Sequence, residues 1–187
     1  MSFAPAQYYI YGSGPFANRT VSRSTIEDRS LFPKQIWLLS PGTQISFPWT
    51  VIKSDTGYVF QSRGASIGED EEAVVAIINE RWNTYIDWTV EPVQNDEDIY
   101  RIRTQDGKYW TIEEERGRAG NRIVLRNSGE GVQDFRIVRI NTDLTEEEYE
   151  YAYHRTNHRE HRGSGKGLDA DPQSRFGYGK RQKTFCS

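Results

Sequence analysis

Ile86-Asp87-Trp88-Thr89-Val90 reads as a short strand centred on an aromatic residue, and segments of the same kind recur at Phe47-Pro48-Trp49-Thr50-Val51 and Gln133-Asp134-Phe135-Arg136-Ile137. Each follows another apolar run: Ala73-Val74-Val75-Ala76-Ile77, Ile36-Trp37-Leu38-Leu39 and Ile123-Val124-Leu125. The intervals from Val75 to Trp88, Trp37 to Trp49 and Val124 to Phe135 are 13, 12 and 11 residues. Self-similarity at a preserved inner spacing marks an internal repeat.

Outward from these segments, each repeat opens with an aromatic residue followed two positions later by another apolar one: Tyr9 and Tyr11, Tyr58 and Phe60, Tyr100 and Ile102. Side chains alternate along a strand, so each pair shares one face, and Ile10, Val59 and Arg101 point to the other. Weaker second strands are expected over residues 18–21, 65–68 and 109–112. The sum is three units of four short strands, an all-β chain closed as a small barrel with a hairpin cap and few free sheet edges. Trp37, Trp49, Val75, Trp88, Tyr100, Val124 and Phe135 are the expected core.

The chain has 187 residues, of which 13% are aromatic, with a formal charge of −3. That length holds one core of ordinary size and an extension. The reading places a β domain at 6–140 and an extension at 141–187, in which Asp143-Leu144-Thr145-Glu146-Glu147-Glu148 opens a short capped helix and the Gly-rich stretch beyond it begins a flexible tail. No basic field exists to hold phosphate backbones, so nucleic acid is not an expected partner. No apolar run reaches the roughly 20 residues of a membrane helix. The single cysteine, Cys186, cannot form an internal disulfide, and no leader is visible before Tyr8; the expected location is the cytosol.

Catalytic constellations are absent from the repeats. The histidines are His154, His158 and His161, all beyond them, and their helical spacing is a weak metal signal without supporting ligands. Gly163-Ser164-Gly165-Lys166-Gly167 lacks the strand and helix that would aim it at a phosphate. No cofactor, no metal and no enzymatic activity are expected, which leaves the loops as the carriers of function. The longest within a repeat spans residues 19–34 and carries four cations, Arg19, Arg23, Arg29 and Lys34, among small hydroxyl residues. An acidic trypsin-like specificity pocket takes a protruding Arg or Lys by a charge-assisted contact, so a loop of this composition on a rigid body suits protease inhibition.

The segments Gly57-Tyr58-Val59-Phe60, Ala73-Val74-Val75-Ala76, Ile86-Asp87-Trp88-Thr89-Val90, Tyr100-Arg101-Ile102 and Gln133-Asp134-Phe135-Arg136-Ile137 resemble the β-trefoil serine protease inhibitors of mushrooms, over about residues 8–140. The resemblance implies a β-trefoil of three four-stranded repeats, and a cytosolic defence protein that blocks trypsin-like proteases through an exposed loop. The loop between the second and third strands is one such site in that family; here Arg23 is the first choice for the specificity residue and Arg29 the second. The same fold hosts ricin-B-type lectins, whose Gln-x-Trp signature survives here only as Gln133-Asp134-Phe135. A glycan site built on Trp82, Tyr85 or Trp110 is therefore the alternative, and cysteine protease inhibition ranks third.

Overall fold

The computed structural model describes residues 5–43, 47–82, 86–94, 97–117 and 119–140. Among them are twelve strands: β1 (Ala6–Gly12), β2 (Val21–Arg23), β3 (Lys34–Leu39), β4 (Trp49–Lys53), β5 (Tyr58–Ser62), β6 (Ala65–Asp70), β7 (Ala73–Ile77), β8 (Thr89–Pro92), β9 (Ile99–Arg103), β10 (Tyr109–Arg116), β11 (Gly120–Arg126) and β12 (Phe135–Arg139). Two single 3-10 turns, Gly14–Phe16 and Glu80–Trp82, are the helical elements among the described residues.

The pairing corrects the expected fold. In place of a β-trefoil of three equivalent four-stranded repeats with a C-terminal helix, the strands form one sheet in the order β10-β11-β3-β7-β6-β5-β4-β1-β12-β9-β8, and β9 returns to β10 at Arg103↔Tyr109. Ten strands thus close a barrel, while β2 hangs on β3 and β8 on β9. The three units are unequal for local reasons. β8 has four residues and ends at Pro92, which has no N–H to donate, and beyond β9 the segment before it joins the barrel wall through the Tyr58↔Trp88 bridge and an Ile86 N–H bond to Ile67 O. β2 has three residues and gives way to a long loop. No α-helix occurs among the described residues, and the helix and tail expected after residue 142 lie outside them.

Alternation does place side chains as the sequence indicates, but the inward face of β1 is that of Ile10. Ala6, Tyr8, Ile10 and Gly12 are buried, and Tyr9 and Tyr11 pack against each other on the outer face, with the Arg136 guanidinium 4.8 Å from the Tyr11 ring centre. Trp49, Trp88, Phe135 and Phe60 are fully buried, as are Val75 and Val124 to within a few per cent, whereas Trp37 and Tyr100 are only half-buried. Trp110 is the hub of this core. Its ring centre lies 5.3 Å from Trp88, 5.8 Å from Phe60, 5.9 Å from Trp49 and 6.2 Å from Phe135, in tilted or edge-on contacts that suit aromatic quadrupoles.

The core also shows how the repeats diverged. Trp49 Nε1 donates to Val21 O and Trp88 Nε1 to Ile67 O, so each tryptophan sits over a smaller residue of the preceding hairpin. In the third unit the sizes are exchanged: Trp110 takes the hairpin position, opposite Leu125, and the smaller Phe135 takes the place of a tryptophan. A close-packed interior accepts such an exchange because a large ring still fills the centre. The cap closes on Gly120 (φ +150°), where an added Cβ would lie 2.0 Å from Leu38 O; only glycine permits β11 to lie against β3 at Gly120↔Leu39.

Candidate functional site

The connection between β2 and β3 stands out as the loop whose side chains are sorted most sharply into anchors and free groups. Arg23 closes β2 and Lys34 opens β3, so the barrel fixes both ends, and both side chains turn inward at 7% and 6% exposure. Neither can enter a partner's pocket. Arg23 forms a two-pronged contact with Glu27, Nε to Oε1 at 3.0 Å and Nη2 to Oε2 at 2.5 Å, and its Nη1 donates to Ser62 O at 3.4 Å. Lys34 Nζ pairs with Asp28 and donates to Ser30 Oγ at 2.8 Å. Arg19 is also structural: its guanidinium reaches Leu39 O at 2.9 Å, Leu38 O at 3.0 Å and Asn121 Oδ1 at 2.7 Å. Of the four expected cations, Arg29 alone has an exposed side chain.

Local turns hold the loop between these anchors. Ser24 Oγ accepts the Ile26 N–H at 3.2 Å, and Asp28 Oδ1 accepts the Ser30 N–H at 2.8 Å, the short-range bonds that favour Ser and Asp in tight turns. Consecutive carboxylates are thereby pulled apart, Glu27 toward β2 and Asp28 toward β3, and Arg29 follows directly. The apolar groups Ile26, Leu31 and Phe32 stand out at 81%, 62% and 63% exposure. The Phe32 ring lies edge-on to Trp82, 5.7 Å between centres, which brings the β7–β8 connection beside the loop. Beneath it a cleft of about 760 Å³ is lined by Ile26, Glu27, Lys34, Trp37, Leu39 and Ala119, among others.

Asp28 is the residue of the loop whose ionisation is most altered. Hydrogen bonds from the Lys34 ammonium, first, and then from the Ser30 hydroxyl and backbone N–H lower its pKa to about 2 from the ordinary 3.8. A depressed carboxylate stabilises the fold above its unfolded value, and that contribution is lost as pH falls through the folded value. The loop contact is therefore expected to persist below pH 3.8 and to release near pH 2. An NMR titration of the Asp28 carboxyl should give its midpoint there, and Asp28→Asn should remove that titration.

The residues of the alternative glycan site are not gathered on one surface. Trp110 is 0% exposed at the centre of the core, so its ring has no face for a sugar; Trp82 is on the surface at 36%, against Phe32. Tyr85 lies outside the described residues, as do the three histidines and Cys186. Among the described residues no cluster of three or more His, Cys, Asp or Glu could hold a metal, and no helix is long and apolar enough to cross a membrane.

With this geometry in place, comparison with known proteins decides the family. The model of the peptidase inhibitor I66 family matches residues 1–134. The chain belongs to that family. This I66 inhibitor is similar to a serine protease inhibitor of Lentinula edodes, with 36% identity over 126 residues that cover 67% of this chain and 83% of the relative. Among solved structures it resembles a proteinase inhibitor from Coprinopsis cinerea, with a TM-score of 0.64 and 20% identity over 74% of this chain and 100% of that one. It also resembles a ricin B-like lectin of Macrolepiota procera in complex with lactose, with a TM-score of 0.54 and 16% identity over 75% of this chain and 100% of the lectin. At such identities the likeness to these two structures shows the fold alone, because one scaffold carries unrelated functions. Membership of the I66 family makes the chain a peptidase inhibitor, whose partner is a protease, and not an enzyme.

Sequence reasoning chose the loop and the four cations but missed the anchors Glu27 and Asp28 and the Phe32–Trp82 contact. Two signals were present: the Arg23-to-Glu27 spacing, and Asp28-x-Ser30, which has the form of a side chain capping its own turn. The Phe32–Trp82 contact joins residues 50 positions apart and left no local trace.

Proposed function

We propose that this protein inhibits serine proteases of trypsin-like specificity by presenting Arg29 on the β2–β3 loop. The observation that carries this reading is the contrast within the loop: Arg19, Arg23 and Lys34 are committed to the barrel, and Arg29 is exposed with no hydrogen bond or ion pair among the described residues. A guanidinium held out on an anchored loop matches an acidic pocket by a charge-assisted contact. The anchored backbone on either side would be ordered before binding, so less entropy is lost on association. Barrel residues 6–140 serve as the inhibitory unit, and 141–187 is an extension to it. Similarity to the serine protease inhibitor of Lentinula edodes supports the choice of protease class.

The test is a titration of trypsin, chymotrypsin, subtilisin and papain with the purified full chain. Trypsin should lose activity in proportion to added inhibitor, and papain should keep it. Untouched trypsin at micromolar protein, or glycan binding with no protease inhibited, would overturn the proposal.

A further inference from the structure

If Arg29 enters the specificity pocket, the bond presented to the protease is Arg29–Ser30, and the contacts around that bond are unusual. Asp28 lies before it and Ser30 after it, yet Asp28 Oδ1 accepts the Ser30 N–H at 2.8 Å and also the Ser30 hydroxyl. Lys34 Nζ reaches the same carboxylate oxygen and, at 2.8 Å, Ser30 Oγ. The nitrogen that would become the leaving amine is therefore tied to a carboxylate on the far side of the cut. Each fragment also keeps its own anchor. Before the bond, Glu27 is held to the end of β2 by Arg23; after it, Lys34 is 6% exposed in the first position of β3.

We propose that Asp28 is a positioning residue that keeps the two sides of the Arg29–Ser30 bond together after a protease has opened it, so that the bond is rejoined and the chain acts as an inhibitor instead of a substrate. The proposal rests on the Arg29 reading above.

The chemistry balances as an acyl transfer. The serine oxygen of the protease bonds to the Arg29 carbonyl carbon, the carbon–nitrogen bond breaks, and the Ser30 nitrogen leaves as an amine carrying the proton the serine gave up. In an ordinary substrate that amine diffuses away. Water then bonds to the acyl carbon, the serine recovers a proton, and the Arg29 carboxylate departs. Here the amine stays beside the ester, hydrogen-bonded to Asp28. It can attack the acyl carbon again, expelling the serine oxygen with its proton and restoring the peptide. Holding a nucleophile in place is equivalent to an effective concentration of about 10⁵–10⁸ M in well-oriented systems, which favours rejoining over hydrolysis.

The experiment compares the full-length wild type with Asp28→Ala and Asp28→Asn. Two quantities are read for each: the initial inhibition constant against trypsin, and the rate at which fragments ending at Arg29 and beginning at Ser30 accumulate by mass spectrometry. Both variants take a charge partner from the largely buried Lys34, so they are expected to melt somewhat below the wild type, and both quantities are read at a temperature well below every melting transition. Asp28→Ala should leave initial inhibition within about threefold of wild type and raise net cleavage about tenfold or more, a gain in turnover without a matching loss in binding. Asp28→Asn keeps an oxygen for the Ser30 N–H and should fall between the two. Equal fragment accumulation in wild type and Asp28→Ala, with inhibition unchanged, overturns the role of Asp28 alone. A wild type that neither inhibits trypsin nor is cut at Arg29–Ser30 by excess trypsin overturns the Arg29 reading, and this proposal with it.

Discussion

Arg29→Ala should lower affinity for trypsin by roughly 2–5 kcal/mol, the cost of truncating one partner of a desolvated charge pair, which is between about thirtyfold and a few thousandfold in the inhibition constant. The melting temperature should not move, because the Arg29 side chain is exposed and makes no contact that the barrel needs. Arg23→Ala should do the reverse. Its loss leaves Glu27, whose side chain is 15% exposed, to the more distant Arg63 guanidinium at 4.0 Å, and removes the bond to Ser62 O. Taking one partner from a largely buried pair costs up to about 3 kcal/mol, so that variant should melt earlier and inhibit only as far as its loop stays ordered. Parallel inhibition assays and thermal melts separate the two, and equal loss of inhibition at unchanged stability in both variants would count against Arg29 as the specificity residue.

Trp110→Ala should be the most damaging single change in the barrel. The indole touches four other aromatic rings and is fully buried, so its removal leaves a cavity bordered by Trp49, Phe60, Trp88 and Phe135. Truncations of this kind cost about 3–5 kcal/mol, against total stabilities of roughly 5–15 kcal/mol for natural domains. For a domain of this size that corresponds to a fall in Tm of roughly 6–20 °C. Trp110→Phe should cost much less: it keeps a ring in the cluster and deletes an indole N–H that is buried without an acceptor among the described residues. A glycan platform at Trp110 would give the opposite pattern, a loss of ligand at unchanged stability, and calorimetric melts of the two variants discriminate the cases.

The recurring aromatic segments made strand content and much of the core readable, since Trp49, Trp88 and Phe135 are buried as their spacing indicates. A closed barrel was expected, but which strands close it was not readable in the same way. Ten strands share one ring because β8 is cut short at Pro92 and β2 at Arg23, and the three-unit pattern carries no signal for either. The site divides similarly. Composition marked the β2–β3 loop as cationic, but in a linear chain Arg23 and Arg29 are equivalent: both are arginines beside serine in a polar stretch.

By itself, then, the order of residues determined an all-β chain with a tryptophan-rich interior and a basic loop, because alternation and apolar spacing are local properties of a strand. Tertiary structure decided which cation is spent on the barrel and which is left to meet a partner. The physical reason is that burial and pairing are set by how the chain is folded: Ser62 O and Glu27 together capture Arg23, Asn121 captures Arg19, and Asp28 with Ser30 captures Lys34, while among the described residues nothing comparable reaches Arg29.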